Sequence, residues 1–370
     1  MYYTEINLGR MSLYTQNDNS LCYYYYMQKT SSKHTDHKIT RGQFFTRGES
    51  WLKKQVLEFI MEANCSTIYD PFAGDGHLIE AVLKRKDFCV EGCDIDPALR
   101  WKINDSLIEI PKIEDAIIVT NPPYAYISSI ARKKLTTDLD IYFRNSIYTD
   151  IYLIALEKML AAQKFVVAIV PETFINSNFR YKSKLKSITV LEENPFTDTE
   201  NPVCVLCFDS VIKDFSKIEV FKNEKFIHSL QDLEDLRLVP TNEVKMKFNI
   251  LSGWLALRGV DSTDDKVRIH FNFKSKINYN WDKGIKVSSR SLTLIEINIP
   301  ENDKLKFIDC ANNILEVYRG ETYDISLSPF KGNTKNGIRR RRLDYRTARA
   351  ILETAYYDLY KQKDDQLTLL

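Results

Sequence analysis

The chain has no long apolar run. Nowhere in its 370 residues is there a stretch able to cross a bilayer as a helix. No secretory leader pattern opens it, so a cytoplasmic protein that does not engage a membrane is expected. It also lacks a metal pattern. Of its seven cysteines, only Cys204 and Cys207 form a C-x-x-C. They lie inside the apolar run Val203–Phe208, where strand alternation sends them to opposite faces. Buried, reduced core thiols and no metal are expected. Net charge is nearly absent: 52 basic against 50 acidic residues leave +2. Bulk charge therefore gives no sign of a nucleic-acid partner, and any such sign has to be local. The one Gly-x-Gly turn is neither a G-x-G-x-x-G fingerprint nor a phosphate loop ending in Lys-Ser/Thr. None of the five histidines has a visible nucleophile partner, and His77 reads as a helix-start residue.

What the chain does have is Asn121-Pro122-Pro123-Tyr124. The tetrapeptide follows Ile117-Ile118-Val119, which reads as a buried strand, so it opens a loop. Its prolines remove two backbone donors and stiffen the turn. What remains is acceptors: the Asn121 side-chain oxygen and the carbonyls of Asn121 and Pro122, beside the flat face of Tyr124. That set suits a planar ring with an exocyclic amine, which donates to the oxygens while the ring stacks. Upstream, Asp70-Pro71-Phe72-Ala73-Gly74-Asp75-Gly76 lies between a strand at 65–69 and a helix at 77–83. Missing side chains there let a ligand approach the backbone. A second strand at 88–93 ends in Asp94-Ile95-Asp96-Pro97, where a carboxylate can accept from both ribose hydroxyls of a nucleoside-like cofactor. Asp105 follows and can accept from an adenine amine.

In this order the motifs resemble the S-adenosylmethionine-dependent DNA methyltransferases that modify exocyclic amines, most closely the adenine-N6 enzymes. Gly42-Gln43-Phe44-Phe45-Thr46 is similar to the family's Gln-x-Phe-Thr box, although Arg47 stands where a proline is frequent. The box precedes the glycine turn and a long segment follows Asn-Pro-Pro-Tyr. That order matches the subclass with an N-terminal catalytic domain and a C-terminal target-recognition domain, as in type II restriction–modification methylases. The resemblance covers roughly residues 40–215. It implies S-adenosylmethionine as cofactor, with Phe44, Phe45 and Thr46 at its methionine end. Asp70, Phe72, Gly74 and Gly76 would shape the turn around its carboxylate and amino groups. Asp94 would hold the ribose, Ile95 would lie against the adenine and Asp105 would take the adenine amine; Ser106 offers that ring no aromatic face. Asn121 and Pro122 would grip the target amine, Tyr124 would stack on the flipped base, and Phe196 would be the second stacking aromatic. Asp96 competes with Asp94 for the ribose. The interval from Asp94 to Asp105 is short for a helix and a returning strand, so either that helix is a single turn or Asp105 is the wrong acid.

Local charge then gains meaning. Lys331, Lys335, Arg339, Arg340, Arg341, Arg342, Arg346 and Arg349 face only Asp344 within their span. Ala348, Ile351, Leu352, Ala355, Tyr356 and Leu359 recur at helical spacing, with Asp344 as a cap near the start. Arg339, Arg340, Arg341 and Arg342 are therefore expected at a helix N-terminus, in contact with phosphate. A smaller cluster, Arg180, Lys182, Lys184 and Lys186, reads as a solvated face. The segment 126–149 reads as a mobile loop near the substrate, and its Arg132, Lys133 and Lys134 are equally suited to DNA and to solvent. Trp254, Trp281, Arg258 and Arg290 are available to DNA, although aromatics are more often core.

The expected architecture is α/β: a doubly wound, Rossmann-like methyltransferase sheet followed by a C-terminal α+β target-recognition domain. Residues 1–40 are read as an N-terminal extension, 41–215 as the catalytic domain and 216–370 as the recognition domain. The resemblance adds a late antiparallel strand pair, at 186–192 and 203–208. The expected activity is methyl transfer to adenine N6 in a specific duplex DNA sequence by a monomer, with a separately acting cognate restriction endonuclease as its partner in a restriction–modification system. The rivals are a cytosine-N4 DNA methyltransferase, an RNA or protein-glutamine methyltransferase, and a catalytically inactive DNA-binding relative.

Overall fold

The computed structural model describes residues 48–127, 139–144, 146–196, 200–264, 266–285 and 291–360, and the backbone alone at 6–7, 12–13 and 361–367. Phe44, Phe45, Thr46, Arg132, Lys133, Lys134 and Arg290 lie outside the described residues. The chain divides into two compact units. One comprises Met1–Phe174 with Asn178–Phe226, the other Ile175–Ser177 with Ile227–Leu370.

The large sheet has nine strands: β1 (Thr67–Asp70), β2 (Cys89–Asp94), β3 (Lys102–Ile103), β4 (Ala116–Thr120), β5 (Phe165–Pro171), β6 (Leu185–Val190), β7 (Val203–Phe208) and β8 (Glu219–Lys222) in the first unit, and β9 (Lys225–Ser229), within which the division between the units falls. Their order across the sheet is β3-β2-β1-β4-β5-β7-β6-β8-β9. β1 pairs parallel with β2 and β4, and β4 pairs parallel with β5. β7 runs against its neighbours β5 and β6, which is the late antiparallel pair expected from the resemblance. The strand order reverses between β1 and β4, and such a switch point opens a crevice beyond the strand C-termini. The expected boundary at 215 moves, because β8 pairs parallel with β6 and so belongs to this sheet.

The strands read as unbroken apolar runs because both faces of the sheet are covered. Ile117, Val119, Val167, Ile169, Val203, Val205 and Cys207 pack in one core with α1 (Lys54–Glu62) and α2 (His77–Leu83). The alternate residues, Ile118, Val166, Ala168, Cys204 and Leu206, are buried on the other face. There α4 (Ile151–Ala162) packs on β5 and is buried on nearly every side, as a helix apolar all round should be. A short α3 (Asp140–Phe143) precedes it, inside the segment expected to be a loop. Between β2 and β3 there is a turn in place of a helix: Ala98 N–H donates to the Asp96 carboxylate at 2.9 Å and Leu99 N–H to the Asp96 carbonyl at 3.1 Å. The short interval from Asp94 to Asp105 is thereby accounted for.

The second unit is α+β. Its antiparallel sheet has the order β10-β13-β11-β12, from β10 (Met246–Phe248), β11 (Leu255–Arg258), β12 (His270–Phe273) and β13 (Leu292–Ile297). A six-residue α5 (Leu230–Asp235) opens with a capping box at Ser229. The core lies between the sheet, α6 (Lys304–Glu321) and α7 (Tyr345–Leu367). A separate two-stranded ribbon joins β14 (Ser328–Asn333) to β15 (Arg339–Arg342).

That ribbon corrects the expectation for Arg339, Arg340, Arg341 and Arg342. They form a strand and do not open a helix. Alternation buries Arg339 and Arg341 and leaves Arg340 and Arg342 half-exposed. Asp344 does cap α7, accepting from Thr347 N–H at 2.9 Å. Trp254 and Trp281 pack among apolar neighbours, with their indole N–H groups on the Ile297 and Lys274 carbonyls. Lys182 is buried against the Phe174 ring, so the smaller basic cluster is not simply a solvated face.

Candidate active site

The ends of β1, β2 and β4 bring the sequence motifs together. Beyond β1 the chain turns through Gly74 at φ +53° and Gly76 at φ +81°, left-handed conformations that favour glycine. Gly76 then starts α2. The turn is held from β2. Ala73 N–H donates to the Cys93 carbonyl at 2.9 Å and Gly74 N–H to the Asp94 carboxylate at 2.9 Å. The other Asp94 oxygen accepts from Asp96 N–H, also at 2.9 Å. Asp94 is buried and Asp96 is not, so of the two competing acids Asp94 anchors the glycine turn. Each of its oxygens keeps a lone pair for a further donor. Burial pushes its carboxyl above the usual range, against the backbone donors that oppose this.

Sequence reasoning overlooked Trp101. Its indole N–H donates to the Gly74 carbonyl at 2.8 Å, while its ring lies on Gly92. A Cβ added at Gly92 would stand 2.4 Å from a Trp101 ring carbon. The signal was present as a lone glycine inside a strand, which marks a close approach. Gly92→Ala is expected to displace the indole and destabilise the first unit by about 1–3 kcal/mol through overpacking. Thermal unfolding and tryptophan fluorescence would register both effects; an unshifted melting temperature would contradict this packing.

Asp70 ends β1 and is 2% exposed. One of its oxygens accepts from Phe72 N–H at 2.9 Å and from the Thr120 hydroxyl at 2.5 Å. Its other oxygen has no hydrogen-bond partner among the described residues. Burial pushes its carboxyl up to about 7, assisted by the Asp94 charge and opposed by the two donors. Between the ordinary carboxylate range and pH 7 the folded state thus holds a proton that the unfolded state has lost. The sign follows from linkage: stability contributed by Asp70 is complete below about pH 4 and declines as pH rises through about 7. Asp70→Asn should remove this slope from denaturant unfolding measured across pH 4–8; an unchanged slope would exclude the assignment.

Thr120 ends β4, and Asn121 comes next, so the Thr120–Asp70 bond ties the glycine turn to the Asn-Pro-Pro-Tyr turn. The Tyr124 hydroxyl sits between two acceptors, the Asn121 side-chain oxygen and the Ile169 carbonyl of β5, the latter at 2.8 Å. Burial holds this phenol well above its ordinary range, so it remains a neutral donor. Its ring meets Phe196 edge-on at 6.2 Å and 72°, and Tyr152 at 6.4 Å and 83°. The structure thus brings Tyr124 and Phe196 together, but not as parallel plates, because the hydroxyl pulls the Tyr124 ring into the core. Asp105 follows β3. It accepts from Leu107 N–H at 3.1 Å and from the Tyr142 hydroxyl of α3 at 2.6 Å. Tyr142 is the second residue that sequence reasoning missed. Ile95 is 41% exposed at the lip of β2, which leaves an apolar surface open beside Asp94.

No family model matches the chain, and no curated protein matches it. Solved structures do. A Listeria monocytogenes protein assigned to the class I S-adenosylmethionine-dependent methyltransferases is 16% identical, with 48% of this chain and 65% of that one covered and a TM-score of 0.34. The methyltransferase subunit of a type I restriction–modification system from Streptococcus thermophilus is 15% identical, with 52% of each chain covered and a TM-score of 0.36. A Pyrococcus horikoshii protein assigned as an RNA methyltransferase is 16% identical over 48% of this chain and 92% of its own, at a TM-score of 0.32. The chain spans under two thirds of the first two. Among the described residues no helix is long and apolar enough to cross a membrane. At this distance, function has to be argued from the site.

Proposed function

We propose that the chain is an S-adenosylmethionine-dependent DNA methyltransferase that modifies adenine N6 in a specific duplex sequence. One observation carries the reading. An amide oxygen, Asn121 Oδ1, stands at the end of β4, one strand from a glycine turn backed by two buried carboxylates, and the Asp70–Thr120 bond joins the two.

The residues fit the cofactor. Asp94 retains lone pairs at a strand end for ribose hydroxyls. The free oxygen of Asp70 suits an ammonium group. Gly74 and Gly76 leave the backbone open to close approach, and Asp105 can exchange the Tyr142 hydroxyl for an amine. When bound, the cofactor supplies a methyl group on a positively charged sulfur.

The chain's own residues supply positioning and electrostatics. The adenine N6 lone pair is delocalised into the ring, so the amine is a poor nucleophile. The Asn121 oxygen and the Pro122 carbonyl accept both N–H bonds, draw the nitrogen toward tetrahedral geometry and stabilise its growing positive charge. Neither a covalent intermediate nor a strong base is needed. The target base has to leave the stack, at a cost of a few kcal/mol, and stacking on Tyr124 offsets part of it. Because Tyr124 and Phe196 now meet edge to face, seating the base between them requires one ring to turn.

The test is methyl transfer from labelled cofactor to duplex DNA, with the modified base mapped by sequencing. Label on adenine N6 at a recurring sequence supports the reading. Label on cytosine N4 would replace it with the rival chemistry. Label on RNA or polypeptide alone would overturn it.

A further inference from the structure

We propose that the β14–β15 ribbon is the element by which the second unit grips duplex DNA, lying in the major groove with its cationic side chains toward phosphate. The proposal rests on the reading above, that duplex DNA is the substrate.

Four observations carry it. First, the shape fits. A two-stranded ribbon, with strands about 4.8 Å apart, is an element that a major groove about 12 Å wide admits. Second, part of its charge faces outward. Lys331 and Lys335 are exposed, and neither they nor Arg340 has a carboxylate partner among the described residues. Of the acids near the ribbon among the described residues, Asp264 is turned to the Ser262 hydroxyl and to Lys266 N–H, and the Asp261 carboxylate to Arg319. Third, Arg340 is held ready. Its guanidinium lies 4.8 Å over the Phe330 ring, with Nε on the Asp261 carbonyl at 3.0 Å and Nη1 toward the Lys331 carbonyl at 3.4 Å. Its Nη2 has no partner among the described residues. A planar fork held in this way suits phosphate or a guanine edge.

Fourth, the ribbon is rigidly mounted. Arg341 N–H donates to the Asp261 carboxylate at 3.0 Å, and that carboxylate is gripped by the buried Arg319 guanidinium at 3.0 and 3.1 Å. The tip is closed by Thr334 N–H on the Ile338 carbonyl at 2.8 Å, by Ile338 N–H on the Thr334 hydroxyl at 3.1 Å, and by Gly337 at φ +80°. Ile338 at this tip is 60% exposed. A buried ion pair and a closed turn thus present an apolar residue beside the exposed Lys331 and Lys335. A solvated loop needs none of this mounting.

The test uses the full-length protein. Lys331→Gln/Lys335→Gln is compared with Lys217→Gln/Lys306→Gln, an equal charge change at exposed sites elsewhere. Fluorescence anisotropy on a duplex oligonucleotide is titrated with salt, and S-adenosylhomocysteine affinity is measured to confirm an intact first unit. The ribbon variant should lose about tenfold or more in duplex affinity and flatten the salt dependence by about two phosphate contacts, while the control keeps both. Arg340→Ala should add to the loss on all duplexes alike. On the duplex that carries the methylation site, guanine N7 should be protected from dimethyl sulfate by the wild type and exposed in the ribbon variant. Equal affinity in wild type and ribbon variant, an equal loss in the control, or an unprotected N7 would each overturn the proposal while leaving the methylation reading standing. A wild type that neither binds nor methylates duplex DNA would overturn both.

Discussion

Asn121→Ala is expected to reduce methyl transfer by about 10²–10³-fold or more in kcat, the cost of removing one preorganised acceptor of developing charge. Cofactor affinity should remain close to wild type. The reason is the division of labour between the turns. Asn121 Oδ1 accepts from the Tyr124 hydroxyl of its own turn, whereas Asp70 accepts from Phe72 N–H and Asp94 from Gly74 N–H and Asp96 N–H. Single-turnover transfer on a duplex substrate, beside calorimetric titration with S-adenosylhomocysteine, separates the two roles. Near-normal turnover would discard the assignment of the amine contact. Joint loss of turnover and cofactor affinity would mean that the two turns are one structural piece, and that the amide serves the fold.

Asp94→Asn should act on the other side of this division. Two charge-assisted hydrogen bonds to ribose, at about 1.5–3 kcal/mol each, correspond to a loss of about a hundredfold or more in cofactor affinity. The variant should also melt earlier. Asp94 accepts from Gly74 N–H through one oxygen and from Asp96 N–H through the other, and an amide nitrogen in either position sets donor against donor. Transfer measured at saturating cofactor should recover much of its rate, which distinguishes a binding defect from a chemical one. An Asp94→Asn protein that binds cofactor like wild type would move the ribose contact to another residue, with Asp96 the first to try.

The sequence determined the ends of the strands. Asp70, Asp94 and Asn121 each follow an apolar run, and short-range pattern alone puts a polar residue at the mouth of a parallel sheet. Hydrophobic periodicity likewise fixed α2, α4, β4, β5 and β7 to within a residue or two, because each is dominated by apolar residues that the fold buries. Asp344 was legible as a cap because capping is local. The basic run was not legible as a strand. Arg339 to Arg342 carries no apolar alternation, and the residues that make it a strand, Ser328 to Asn333 and Asp261, come from elsewhere in the chain. Trp101 on Gly92, Tyr142 on Asp105 and Thr120 on Asp70 lie 9, 37 and 50 residues apart in sequence, and nothing in a one-dimensional pattern joins them. The orientation of Tyr124 was also decided in three dimensions, by the carbonyl of Ile169 on the neighbouring strand. Local physics wrote the elements and the polar residues at their ends; pairing across the sheet chose which of those residues meet.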